Sequence, residues 1–440
     1  MSAACDLRFH LSPGGSLRGR IRVPGDKSIS HRAVMLGAIA AGRTDVSGFL
    51  EGEDSLATLA AFRRMGVSIN GPEGGRLTID GVGLAGLRAP DAALDLGNSG
   101  TSMRLLAGLL AGQQFPVTLK GDAFLSKRPM GRVAHPLTRM GARVRTTPDG
   151  TAPLVVEPCP GLQGIHYRMP VASAQVKSSL LLAGLYARGE TCVTEPAPTR
   201  DHTERLLAAF GYPVQREKAR VCLSGGGRLT ACAIDIPADI SSAAFFLVGA
   251  SIAPSSDLVL EHVGINPTRI GVINILRAMG ADIEVTDLGE AGGEPVADLR
   301  VRGAALKGIR IPEDQVPLAI DELPAILIAA ACAEGESLLT GAGELRVKES
   351  DRIQVMADGL AAVGVETEPR PDGIRIRGGG LAGGVVDARG DHRIAMSFAI
   401  AGLRARSPIE VRDCANVATS FPGFALLAAR AGLLISERTV

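Results

Sequence analysis

Apolar stretches of helical length recur six times along the chain, and each gathers its hydroxyl and charged residues at its start. They begin near His31 (HRAVMLGAIAAG), Thr101 (TSMRLLAGLLAG), Ser178 (SSLLLAGLYARG), Ser242 (SAAFFLVGASIA), Leu323 (LPAILIAAACAEG) and His392 (HRIAMSFAIAGL). Such stretches, apolar on every side, predict helices buried all round. A strand-like run follows each one: TDVSGFL, FPVTLKG, ETCVTEP, DLVLEHV, ESLLTG and PIEVRDC. A second helix then closes each copy and stops at a glycine, namely Gly66, Gly141, Gly211, Gly280, Gly364 and Gly432. Glycine accepts the left-handed conformation in which many helices end. A period of roughly 70 residues predicts one supersecondary unit stacked repeatedly. The unit reads strand–helix–strand–helix–strand, with glycine turns such as Gly225-Gly226-Gly227 between strands.

Six units divide as three plus three. The expected domains are 25–239, with repeats one to three, and 1–24 plus 240–440, with repeats four to six. A double crossover is expected near 24 and 239. The segment before Pro24 (LRGRIRVP) is strand-like, has no helix of its own, and is expected to complete the second domain.

Bulk composition narrows the class. The chain has 440 residues and a net charge of +1, with 3% aromatic residues and no tryptophan. That balance argues against nucleic acid as a partner. The apolar runs fall short of the ~20 residues that span a membrane. MSAACDLRFH lacks a basic segment followed by an apolar core, so no secretory signal is expected, and the expected location is the cytoplasm. Seven cysteines lie singly, with no CxxC and no His/Cys cluster along the sequence. Reduced thiols are expected, with neither a disulfide framework nor a metal site.

The polar openings of the six apolar helices carry the candidate chemistry. They hold Asp26-Lys27-Ser28 and Ser30; Asn98, Ser99 and Thr101; Ser173 and Gln175; Asp239 and Ser241; Asp321; and Gly390-Asp391. Helix capping accounts for Ser, Thr, Asn and Asp at such places. It does not account for Lys27, Arg32, Arg104, Lys177 and Arg393 beside them. Helix N-termini attract anions, and added cations strengthen such a site. Convergent openings would suit a ligand with several negative charges. GNSGTSMR (97–104) allows close backbone approach to an anion, and KRPMGR (127–132) places three cations around a proline. In RVKESDR (346–352), a helical reading puts Lys348 and Arg352 on one face beside Glu349. A carboxylate of the Asp321-Glu322 pair near cations would stay ionised and could act as a base. The opening around Ser241 shows no cation beside it and reads as structural. The GxGxxG match at Gly378, Gly380 and Gly383 leads into VVDARG and reads as a strand turn.

The ordered series PGDKSISHR, GNSGTSMRLL, KRPMGR, SAQVKSSLLLAGL, RDHTERLL, DELP, ELRVKESDR and DHRIAMSFA resembles the 5-enolpyruvylshikimate-3-phosphate synthases, from about Leu17 to Phe424. SAQVKS, ELRVKES and ATSFP are closer to the class II branch. Thr419 stands where class I members usually carry a lysine, so that lysine's role does not transfer. The resemblance implies an α/β, two-domain enolpyruvyl transferase fold, an inverse α/β barrel of six βαβαββ repeats, which closes on its substrates. It implies transfer of the enolpyruvyl group of phosphoenolpyruvate to the 5-hydroxyl of shikimate-3-phosphate, without metal or cofactor, and a monomer with no membrane partner. Asp321, Glu349 and Lys27 are the implied catalytic residues: base, proton donor to carbon, and aid to the leaving phosphate. Lys27, Gly100, Arg128, Gln175, Arg352 and Arg393 are implied to bind phosphoenolpyruvate. Lys27, Ser28, Arg32, Ser173, Ala174, Gln175, Arg200, Asp321 and Lys348 are implied to bind shikimate-3-phosphate. Glyphosate is an expected inhibitor, with Gly100 the small residue where bulk would crowd it. Two rivals remain. UDP-N-acetylglucosamine enolpyruvyl transferase typically needs a loop cysteine, which DAFLSKRPMGR lacks. A non-catalytic anion-binding repeat scaffold would need no acid and base beside its cations.

Overall fold

The computed structural model describes residues 7–439. Helices of two kinds alternate along it. In chain order they are α1 (Lys27–Ile39), α2 (Glu53–Arg64), α3 (Gly100–Ala111), α4 (Gly131–Arg139), α5 (Ala174–Gly184) and α6 (His202–Ala209), then α7 (Ile240–Ile252), α8 (Gly271–Ala278), α9 (Leu323–Cys332), α10 (Arg352–Ala362), α11 (His392–Ala401) and α12 (Phe424–Ala431). The odd-numbered helices are the six apolar stretches. Every residue of α7 and of α11 is buried, as an apolar pattern without a polar face requires. The even-numbered helices bury one face; α2 buries Ser55, Thr58, Leu59 and Phe62 and turns Arg63 and Arg64 outward. The six closing glycines all have positive φ, from 74° at Gly211 to 114° at Gly432. A side chain at any of them would be strained, which is why the period ends on glycine each time.

Among the described residues six sheets accompany the helices in one recurring order, five of four strands and one of three. In the second repeat, Leu94–Asp95 runs parallel to Val117–Lys120, which pairs antiparallel with Leu154–Glu157, and that strand with Arg143–Arg145. His166–Arg168, Glu190–Thr194, Arg220–Ser224 and Gln215–Glu217 repeat the order in the third. The first five units therefore end on a hairpin, one strand more than the hydrophobic pattern alone predicts and as βαβαββ requires, while in the sixth Leu7–Gly15 takes the place of the last strand. Three sheets borrow strands from a distance. Ala233–Asp235 runs parallel to Ala41–Ser47. Arg18–Ile21 runs parallel to Asp257–Gly264. Leu7–Gly15 lies between Ile409–Arg412 and Leu433–Thr439, antiparallel to both.

The chain forms two compact units. One comprises Gly25–Ile236 with Glu290–Glu294; the other comprises the segment ending at Pro24, Pro237–Gly289, and the chain from Pro295 onward. Each has its own apolar core: the first packs α1, α3 and α5, the second α7, α9 and α11. The return of Glu290–Glu294 to the first unit is a short excursion that the hydrophobic period does not announce. Among the described residues no helix is long and apolar enough to cross a membrane.

The expectation of reduced thiols throughout is overturned. Cys192 and Cys222 are direct partners on antiparallel strands, with Cα atoms 4.1 Å apart, and form a disulfide. Strand register, which cysteine spacing does not encode, brings them together. Cys159, Cys232, Cys332 and Cys414 are free thiols.

Candidate active site

In the unit containing Gly25–Ile236, the openings of α1, α3 and α5 carry the candidate residues. Asp26 caps α1 by accepting from the Ile29 amide at 2.9 Å, which leaves Lys27 and Ser28 in the first turn. Lys27 Nζ lies 3.0 Å from Asp54 Oδ2 of α2. Arg32, one turn on, is buried and gripped from three sides. It donates to Thr203 Oγ1 of α6 (2.7 Å), Ser178 Oγ of α5 (2.9 Å) and the Ser28 carbonyl (2.8 Å). Burial lowers its pKa to about 10, with Glu204 and Asp26 opposing and Arg200 adding to the fall, so the guanidinium stays charged at neutral pH. His31 between them is buried and pushed well below the usual imidazole range, by desolvation first and then by Lys27 and Arg32. It is neutral, and its Nδ1 meets Thr58 Oγ1 at 2.8 Å.

Ser99 caps α3, and Gly100 is its first residue. A Cβ at Gly100 would sit 3.1 Å from the Arg128 guanidinium, so glycine is what lets that cation lie against the helix start. Arg128 donates to Asn98 Oδ1 at 2.7 Å. Ser173 caps α5, so Ala174 and Gln175 open it. Gln175 accepts from Arg104 (2.5 Å) and donates to Thr101 Oγ1 (3.1 Å), tying α5 to α3. Lys27, Ser28 and Arg32 thus form one group, with Arg200 within electrostatic reach of Arg32, and Gly100, Arg128 and Gln175 are linked around the start of α3. Lys177 differs from its expected place beside an anion. It is fully buried and paired with Glu195 (2.9 Å) and Glu204 (2.7 Å), because the helix turns it inward toward α6.

The other unit gathers Asp321, Lys348, Glu349, Arg352 and Arg393. Asp321 precedes α9 and receives Lys348 Nζ at 3.3 Å, Arg352 at 3.5 Å and Arg393 at 4.0 Å. Arg393 also donates to the Asp321 carbonyl at 2.8 Å. Arg352 meets Glu349 at 2.6 Å and Asp391 at 2.8 Å, and its side chain is 1% exposed. Burial alone would lower the pKa of Arg352, but Asp391, Glu349 and Asp321 outweigh it and raise it. Burial would raise Asp391, and Arg352 overrides it to hold that carboxyl below its usual range. Lys348 and Glu349 remain partly exposed.

Two local expectations change here. RVKESDR is not one helix: a 3₁₀ turn ends at Val347, and α10 starts at Arg352 under an Asp351 cap. Lys348 and Arg352 converge on Asp321 across that break and not along a helical face. The opening around Ser241 does have a cation. Arg269, from the loop before α8, bonds Ser241 Oγ at 2.5 Å and Asp239 at 3.1 Å.

Sequence reasoning missed the partners: Asp54 for Lys27, Ser178 and Thr203 for Arg32, and Asp391 for Arg352. Asp391 was legible only as a cap. It does accept from the Arg393 amide at 3.0 Å, while the same carboxylate grips Arg352. A carboxylate surrounded by three cations, with a second carboxylate partly open to water, can exchange protons while the guanidinium groups bind anions.

Known proteins share this sequence and fold. The family model described as EPSP synthase (3-phosphoshikimate 1-carboxyvinyltransferase) matches residues 11–426. The 3-phosphoshikimate 1-carboxyvinyltransferase of Alkalilimnicola ehrlichii is 69% identical over 432 residues, 98% of this chain and 97% of that protein. That of Nitrosococcus oceani is 68% identical over 429 residues, again 98% and 97%. An EPSP synthase structure from Acinetobacter baumannii superposes with a TM-score of 0.90 at 59% identity, covering 98% of this chain and 100% of that one. The enolpyruvyl transferase NikO from Streptomyces tendae shares the fold, with a TM-score of 0.79 at 16% identity and coverage of 99% and 100%. The sixfold period, the charged helix openings and these matches along nearly the whole length agree, and the chain belongs to the EPSP synthase family.

Proposed function

We infer that the chain transfers the enolpyruvyl group of phosphoenolpyruvate to the 5-hydroxyl of shikimate-3-phosphate and releases phosphate, in the shikimate route to aromatic amino acids. Family membership over nearly the whole chain carries this reading. The residue roles rest on the resemblance and on the charges described above. Asp321 takes the proton from the 5-hydroxyl as its oxygen adds to C2 of phosphoenolpyruvate. Glu349 delivers a proton to the methylene carbon. Loss of phosphate from the tetrahedral intermediate then returns that proton, with Lys27 neutralising the leaving group. Arg128, Arg352 and Arg393, with Lys27, Gly100 and Gln175, hold phosphoenolpyruvate, since guanidinium forks match carboxylate and phosphate oxygens. Lys27, Ser28, Arg32, Ser173, Ala174, Gln175, Arg200, Asp321 and Lys348 hold shikimate-3-phosphate. The enzyme acts in the cytoplasm as a monomer, which sedimentation at the mass of a single chain checks.

Phosphate release should require phosphoenolpyruvate and shikimate-3-phosphate together. Release with UDP-N-acetylglucosamine in place of shikimate-3-phosphate would overturn the reading, as would anion binding with no release.

A further inference from the structure

One sheet carries chemistry that enolpyruvyl transfer does not use. Side chains alternate between the faces of a strand. On Glu190–Thr194 and Arg220–Ser224, Val193, Val221 and Leu223 face the core, which places Cys192 and Cys222 on the opposite face. His166 is the parallel register partner of Cys192, so His166, Cys192 and Cys222 stand in a row across three strands. Glu190, two residues before Cys192, shares their face. Its Oε2 lies 3.1 Å from Cys192 Sγ and 3.5 Å from His166 Nε2. One ligand atom from each of His166, Glu190 and Cys192 falls within a 4.8 Å span. The side chains of His166 and Glu190 are 64% and 41% exposed, so both can swing about the cysteine pair.

We propose that Cys192 and Cys222, once reduced, join His166 and Glu190 in a binding site for a zinc-class divalent cation, which the disulfide closes. A dithiol reductant supplies two electrons and two protons to the sulfur–sulfur bond and is itself oxidised to a disulfide. The cation then displaces both thiol protons to solvent and takes two thiolates, one imidazole nitrogen and one carboxylate oxygen. That donor set suits tetrahedral zinc. Arg220 guards the site, with its guanidinium 3.1 Å from Cys192 Sγ and 3.7 Å from Glu190. It must move aside when the metal arrives, so it competes with it.

The test titrates the full chain with Co²⁺ after phosphine reduction and reads thiolate-to-cobalt charge-transfer absorption. Saturation at one cobalt per chain is expected, with none in the diamide-oxidised protein. Cys222→Ser should abolish the band while phosphate release continues at the wild-type rate. His166→Ala should weaken binding at least tenfold, and Arg220→Ala should tighten it. No band in the reduced protein would sink the proposal. So would an equal band in Cys222→Ser, which would place cobalt on other cysteines, or weaker binding in Arg220→Ala.

Discussion

Lys27 and Lys177 both sit near the start of an apolar helix in copies of one unit, yet the fold uses them in opposite ways. Lys27 pairs with Asp54 and keeps 19% of its side chain exposed. Lys177 has no exposure and lies between Glu195 and Glu204. For these two lysines the difference is access: Lys27 keeps a face that a ligand can reach, and Lys177 keeps none. The repeat therefore duplicates the position but not the function, and buried carboxylates decide which copy is structural.

Substitution separates the two most sharply. Lys27→Met should cut kcat by about 10³-fold, the scale of one lost electrostatic contact to a reacting group, with thermal melting nearly unchanged because the pair is partly solvated. Lys177→Met leaves two carboxylates buried without their cation and should cost ~3–5 kcal/mol in urea unfolding, while the folded fraction turns over normally. Reversal of the two outcomes would break the comparison. A smaller effect tests whether the start of α3 is equally poised. Gly100→Ala pushes on Arg128 and should raise the KM for phosphoenolpyruvate by about tenfold, roughly 1.4 kcal/mol, with little change in stability. An unchanged KM would separate Arg128 from that substrate.

The smallest effect is a pH slope. His31 is held neutral in the fold, with its pKa well below the usual value near 6.5. As pH falls through that range, the unfolded chain takes up the proton first. Stability is thus complete above about pH 6.5 and drains away below it. His31→Asn should flatten the urea midpoint between about pH 6.5 and 5. Lys27→Met should soften the slope, because Lys27 is one of the charges acting on His31, and Lys177→Met should leave it alone.

Much of this was legible in the sequence, for identifiable reasons. Burial on all sides and a glycine stop are local properties, so the apolar helices and the ends of their partners could be read from hydrophobic pattern and composition. Lys27, Arg32, Asp321 and Arg393 stood out as charges that capping does not explain. Pairing was not legible, because partners arrive from about thirty or more residues away in the chain or from the neighbouring repeat. Arg269 reaches Ser241 from a loop about thirty residues on, Asp391 reaches Arg352 from the next helix opening, and strand register alone joins Cys192 to Cys222. The helical reading of RVKESDR failed because Asp351 prefers to cap α10, which restarts the helix just where a continuous face would have run.

The strand Leu7–Gly15 gives the molecule a history as well as a shape. Both of its neighbours, Ile409–Arg412 and Leu433–Thr439, are made last. At ~5–20 residues per second, a ribosome leaves it waiting roughly 20–80 s with both edges unpaired. Meanwhile Gly25–Ile236 emerges with nearly all of its partners nearby and can fold early. An open strand held that long invites the wrong neighbour. The order of synthesis therefore makes Leu7–Gly15, though made early, a strand that finds its neighbours late.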